Sequence, residues 1–219
     1  MPLTKAALQL SLALIVALAA TPGLSQDVPE RQTLEIVQDG HVIQASQAPG
    51  HGQEFAMKRG PFELRVGRRS GDGPAVHLGD ALFEICASAD PSIFRGIEIG
   101  MHVGTMPCLN GAAVMARSPE VSKAAVELML SKGDGNNQFD ESAVTQTPSA
   151  SVVQVAQLTD FVVTGQTCLG PSQRRRCIDQ KQPAPFQGHE LYLLVFTDLN
   201  GNRIADAGEF SQIKLILPD

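Results

Sequence analysis

Short aliphatic and β-branched runs, each broken by Gly, Pro or Asp, recur along most of this chain, and that pattern points to an antiparallel sandwich or barrel. Residues 33–37 and 42–45 flank Asp39-Gly40, a strong hairpin signal, because both central residues of the favoured turn need positive φ. In residues 61–66, Phe62, Leu64 and Val66 alternate and give one apolar face. Residues 82–87, 97–103 and 152–163 read as further strands, and 191–196 and 213–217 as two more near the end. The 191–196 run is apolar on both faces, as in a central strand covered on each side.

Between these runs, 47–53 and 67–74 read as polar loops and 145–151 as a linker-like stretch. Ser118-Pro119 resembles a helix start and Gly133 a stop, with Val121, Ala124, Ala125 and Leu128 at helical spacing between them. Residues 125–130 fit a strand equally well. The expectation is a mainly β fold, an antiparallel β-sandwich of immunoglobulin-like or jelly-roll-like kind, with at most one short helix near 119–132. Trp is absent and Tyr192 is the only Tyr, so the core must rest on nine Phe and on aliphatics.

The N-terminus carries Lys5 and then an apolar run of about fifteen residues, followed by Thr21-Pro22-Gly23-Leu24-Ser25. This is the pattern of a secretory signal peptide, with cleavage expected after Ser25 or after Ala19 or Ala20. The run is shorter than the roughly 18–20 residues that span a bilayer, and no Cys stands there to take a lipid anchor. Residues 1–25 are therefore expected to be a leader, and 26–219 a single exported domain in the periplasm or outside the cell. The chain holds 17 basic and 23 acidic residues, for a net charge of −6, and of these only Lys5 lies in the leader. Such a balance lacks the basic face that nucleic acid requires, and it does not suit an anionic membrane surface.

All four cysteines, Cys86, Cys108, Cys168 and Cys177, follow the leader, and an even count in an exported chain predicts two disulfides. Three pairings can be drawn. Cys86–Cys108 with Cys168–Cys177 is preferred, because each closes a local loop worth roughly 3 kcal/mol in the chain-entropy model. No CxxC pair and no His close to a Cys supports zinc instead.

The most specific chemical pattern is Asp198-Leu199-Asn200-Gly201-Asn202-Arg203-Ile204-Ala205-Asp206-Ala207-Gly208-Glu209. With Asp198 as the first position, oxygen side chains stand at the first, third, fifth, ninth and twelfth: Asp198, Asn200, Asn202, Asp206 and Glu209. Ile204, at the seventh, can offer its carbonyl. Calcium takes six to eight hard oxygens, and a loop curling round it points alternate residues inward. The segment resembles the calcium loops of dockerin-type repeats and of the B-type modules of bacterial adhesins, over about twelve residues only. That resemblance implies a structural calcium ion held by Asp198, Asn200, Asn202, Ile204, Asp206 and Glu209, with a dissociation constant of roughly 10⁻⁴ to 10⁻³ M. One position departs from the pattern: the sixth, usually Gly, is Arg203, and Gly201 at the fourth is the residue able to take up the bend. The flanks are β runs rather than helices, which places the loop between the last two strands. A second acidic stretch, 134–141, has oxygen residues at alternate places but Thr145 at its twelfth, and reads as a turn.

Arg174, Arg175 and Arg176 are consecutive and lie between Cys168 and Cys177. Held on a disulfide loop, they suit an acidic partner, a sulfated glycan or a lipopolysaccharide phosphate. His41, His51, His77, His102 and His189 are scattered, with no metal or catalytic spacing among them, and no nucleophile elbow, phosphate loop or dinucleotide fingerprint occurs. The expectation is a non-enzymatic binding or structural module that contacts an envelope protein or glycan, the alternative being an exported hydrolase or enzyme inhibitor stabilised by calcium.

Overall fold

The computed structural model describes residues 30–48, 52–106, 126–129, 144–170 and 176–218. β1 (Glu30–Gln38) and β2 (His41–Ile43) form the expected hairpin, and Asp39 at φ 53° and Gly40 at φ 77° take the two left-handed positions of its turn. Then come β3 (Ser46–Ala48), β4 (Gly52–Ala56), β5 (Phe62–Ser70), β6 (Val76–His77), β7 (Leu82–Ser88), β8 (Val126–Met129) and β9 (Val144–Gln146). β10 (Ser151–Leu169), β11 (Arg176–Pro185), β12 (Glu190–Asp198) and β13 (Phe210–Ile216) complete the order. Pro91–Phe94 and Val103–Thr105 are short 3₁₀ turns.

The strands form a β-sandwich. One sheet runs β11–β10–β5–β1–β2, with β6 added to β5 and β8 and β9 added to β10. The other runs β3–β4–β13–β12–β7. Most neighbours are antiparallel, but β8–β10 and β4–β13 are parallel. Ile36, Phe62, Leu64, Val66 and Val153 from the first sheet meet Phe55, Ile85, Leu193, Val195 and Leu215 from the second in one buried cluster. Burial of alternate residues on facing strands is the driving force that the period-two pattern encodes.

The apolar run in β12 has the expected double cover. Leu191, Leu193 and Val195 face the sandwich interior, whereas Leu194 and Phe196 point the other way. There a second buried cluster forms with Cys86, Phe94, Ile97, Val103, Met106 and Ala205. The segment supplying that cover was expected to be a strand at 97–103 and is not one. It folds as turns ending in the Val103–Thr105 3₁₀ turn, because its apolar residues pack onto β12 as a lid instead of joining a sheet. Within the region expected to be helix or strand, Val126–Met129 is a strand, and the remainder of 119–132 lies outside the described residues. Of the stretch 145–151 expected to be linker, 145–146 end β9 and Ser151 begins β10, and only 147–150 form the tight connection, with the Thr147 amide donating to the Ala150 carbonyl at 2.8 Å.

On the outer face of the first sheet, Glu63 sits directly opposite Gln154, which donates to it at 2.8 Å. Arg65 donates to the same carboxylate through Nε at 2.9 Å. The Gln154 hydrogen bond, with help from Arg65 and against partial burial, holds the Glu63 carboxyl below its ordinary value. A carboxylate with a lowered folded pKa contributes stability that is complete above its unfolded value and fades as acid carries the pH through the folded one. Glu63→Gln should therefore cost stability at neutral pH, and its gap to the parent protein should narrow as acid carries the pH below the ordinary carboxylate range. A gap constant across that range in denaturant titrations refutes the assignment.

Candidate metal centre

β12 ends at Asp198 and β13 begins at Phe210, so the predicted loop bridges two paired strands. Its two feet are buried: Asp198 is 3 % exposed and Glu209 2 %. The Glu209 carbonyl accepts from the Thr197 amide at 2.7 Å, which closes the base of the loop. Both carboxylates then work inward. Asp198 accepts from the amides of Asn202 (3.0 Å) and Arg203 (2.9 Å), and Glu209 from those of Leu199 (2.8 Å) and Asp206 (3.1 Å). The Asn200 side-chain oxygen takes the Asn202 amide at 3.0 Å, and the Asn202 oxygen takes the Ile204 amide at 2.7 Å.

The unexpected sixth residue is accommodated directly. Arg203 adopts φ 59°, the left-handed conformation that Gly supplies elsewhere, while Gly201 sits at φ 76°. A side chain in that region costs roughly 1–2 kcal/mol. The bond from the Arg203 amide to the buried Asp198 carboxylate offsets that cost, since a charge-assisted hydrogen bond contributes about 1.5–3 kcal/mol.

Two further segments clamp the loop from outside, and the sequence patterns did not reveal either. Ala205 is fully buried in the second cluster, and its amide donates to the Met101 carbonyl at 2.8 Å while its carbonyl accepts from Gly100 at 2.9 Å. The Val103 amide donates to the Arg203 carbonyl at 2.9 Å, and His102 and Ile204 form a β-bridge between these bonds, leaving the Ile204 carbonyl outside the ladder. On the other side, the Gln32 amide donates to the Gly208 carbonyl at 2.6 Å. Gly208 has φ 91°, and a Cβ there would come within 3.0 Å of the Arg31 Cβ, so the close approach of β1 demands Gly. The Gln32 side chain reaches across to Thr197 Oγ1 and accepts from Ser211 at 2.6 Å, tying the first sheet to both feet of the loop.

The donor set is one of hard oxygens, which fits the chemistry of calcium, and each oxygen accepting one hydrogen bond retains a lone pair for a cation. Its arrangement is closed on itself. The Asn200 and Asn202 amide nitrogens both donate to Asp206 Oδ2 at 2.7 Å, and among the described residues no three His, Cys, Asp or Glu side chains converge closely enough to hold a metal ion. Asp198, Asn200, Asn202, Ile204, Asp206 and Glu209 are the residues that would hold such a cation, each through a hard oxygen. The acidic stretch 134–141 lies outside the described residues, as does His51. His77 and His102 each use Nδ1 to accept a neighbouring glycine amide, Gly79 at 3.0 Å and Gly104 at 3.1 Å.

The second predicted site grows from β10 and β11. Cys168 and Cys177 are disulfide-bonded and directly opposed in register. Cys86 is also disulfide-bonded, and its expected partner Cys108 lies outside the described residues. From Asp160 to Leu169, β10 pairs with β11 alone among the described residues, making a two-stranded arm about 30 Å long. A lone hairpin is marginal in water. Here the disulfide and a polar ladder support it: Gln166 donates to Asp179 at 2.8 Å and Gln180 to Thr167 at 2.7 Å. Arg176 begins β11, while Arg174 and Arg175 lie outside the described residues.

Fold and cross-links define a class: a two-sheet, mostly β protein stapled by disulfide, suited to an oxidising compartment outside the cytoplasm. Among the described residues no helix is long and apolar enough to cross a membrane. No family model, no curated protein and no solved structure matches the chain.

Proposed function

We propose that the protein is an exported, non-enzymatic binding module of the periplasm or the extracellular space, which presents the β10–β11 arm to a macromolecule or glycan of the cell envelope. The observation that carries this reading is the arm itself. Among the described residues its two strands pair only with each other from Asp160 on, Cys168 and Cys177 cross-link them, and Val162, Val163, Leu169 and Ile178 are exposed, an arrangement that costs stability unless something covers them. The loop from Asp198 to Glu209 serves the same body as a structural calcium site. Its oxygens stand in the register such a site needs, and the loop is hydrogen-bonded to both Gln32 of β1 and residues 100–103, so an ion there would stiffen this end of the sandwich and act as a clamp rather than a sensor.

The exported chain should co-sediment with envelopes of cells that lack it. Replacing residues 162–182 by a two-residue turn should abolish that association and leave the melt of the sandwich intact. Equal sedimentation of the shortened chain would remove the arm from the contact.

A further inference from the structure

The disulfide-bonded cysteines sit in opposite surroundings. Cys86 is 0 % exposed and lies in the second buried cluster with Phe94, Leu194 and Phe196. Cys177 is exposed and Cys168 half-buried, on an arm where none of the side chains of 160–169 or 177–185 is buried. Thiol–disulfide exchange begins with a thiolate reaching a sulfur. A reductant therefore meets Cys177 on the folded protein, and meets Cys86 only after the cluster over it has opened.

The accessible disulfide is also the main support of the outer arm. Beyond Thr159 the two strands pair only with each other among the described residues, and no arm side chain belongs to either apolar cluster. The bonds from Gln166 to Asp179 and from Gln180 to Thr167 are both exposed, where water competes for every donor and acceptor. A bulge between Val163 and Gly165 interrupts the ladder between the body and the disulfide, which weakens pairing carried outward from the sheet. Cys168 directly opposes Cys177, so the covalent bond itself holds the register. Closing a separation of nine residues favours the paired arm by roughly a hundredfold through the entropy removed from its unpaired state. A lone hairpin without that contribution is marginal.

We propose that Cys168–Cys177 is a redox latch: a dithiol reductant opens it on the folded protein, the arm beyond the bulge unpairs, and the contact surface is withdrawn while the sandwich stays intact. This deepens the proposed function and rests on the arm being the contacting surface. In the first step a thiolate of the reductant bonds to Cys177 Sγ, the bond between the two cysteine sulfurs breaks, and Cys168 leaves as a thiolate that takes up a proton. The second thiolate of the reductant then attacks its own sulfur in the mixed disulfide and expels Cys177, which is protonated in turn. The dithiol supplies two electrons and departs as a disulfide. An oxidised partner of the same class closes the latch by the reverse steps.

The exported protein should be treated with dithiothreitol, alkylated and mapped by mass spectrometry, with amide exchange followed in parallel. Cys168 and Cys177 should be reduced at least about a hundredfold faster than Cys86, and the difference should vanish in denaturant. Reduction should accelerate exchange at 165–169 and 177–180 by about a hundredfold and leave Val66 and Leu193 unchanged. Cys168→Ser/Cys177→Ser should show the same fast arm exchange with no reductant present and ignore dithiothreitol. Reduction of Cys86 at the same rate in the folded protein overturns the latch, and so does an arm that stays protected after reduction or in the double Ser variant. Sedimentation with envelopes that is lost on deleting residues 162–182 but kept on reduction overturns it as well, while leaving the arm as the contact.

Discussion

Glu209→Ala should lower the stability of the protein in EDTA by about 2–4 kcal/mol and abolish any further gain from calcium. The first effect needs no ion. The Glu209 carboxylate is buried and satisfies the amides of Leu199 and Asp206, and each partly buried donor left without its acceptor costs about 1–3 kcal/mol. The second effect follows from the place of Glu209 at the close of the oxygen register. In the parent protein, calcium a hundredfold above its dissociation constant should add about 2.7 kcal/mol, and calcium near that constant only about 0.4 kcal/mol. Glu209→Gln separates the two roles: it keeps one acceptor oxygen and most of the loop's stability in EDTA, yet removes the charge a cation requires. Thermal melts in EDTA, calcium and magnesium read all of this. A parent protein with no calcium-specific shift up to about 10 mM has an acidic, hydrogen-bonded turn at this place and no metal site.

Phe196→Ala should cost about 3–5 kcal/mol, the range for truncating a fully buried aromatic, and lower the melting midpoint by about 6–20 °C. Phe196 is 0 % exposed and belongs to the outer cluster with Leu194, Cys86, Val103 and Ala205. Its loss opens a cavity beneath the lid and beneath Ala205, the residue through which the metal loop is hydrogen-bonded to Gly100 and Met101. Amide exchange at Ala205 should therefore accelerate more than exchange at Leu193, which faces the interior on the same strand. A loss under about 1 kcal/mol, or uniform acceleration across β12, would mean that the lid contributes little and that the inner cluster alone holds the loop.

Much of this molecule is written in local chemistry. Asp39 and Gly40 favour one turn whatever surrounds them, and the period-two alternation of Phe62, Leu64 and Val66 commits that segment to a half-buried strand. Cys168 and Cys177 are close enough in sequence for hairpin geometry alone to pair them. The oxygen register from Asp198 to Glu209 is likewise legible residue by residue, and so was the double burial of β12, since a strand apolar on both faces must be covered twice.

What lies beyond these was decided by contacts distant in sequence. The alternation in 97–103 is as good a strand signal as any other here. Those residues became a lid because Phe196 and Leu194 had a second face to cover and because Ala205 offered the segment a short ladder. Arg203 stands where Gly is expected, and its left-handed backbone is held by Asp198 at the start of the loop and by Val103 a hundred residues earlier. The pattern of residues 152–163 predicts a strand ending at Val163. Thr164 is left unpaired as a bulge between Val163 and Gly165 and not a stop, so β10 runs on to the disulfide. The parallel pairings of β4 with β13 and β8 with β10 also have no local signature. A sequence determines its turns, its strand faces and its cross-links through interactions a few residues apart, whereas which faces meet depends on the free energy of burying them together, and only the folded chain decides that.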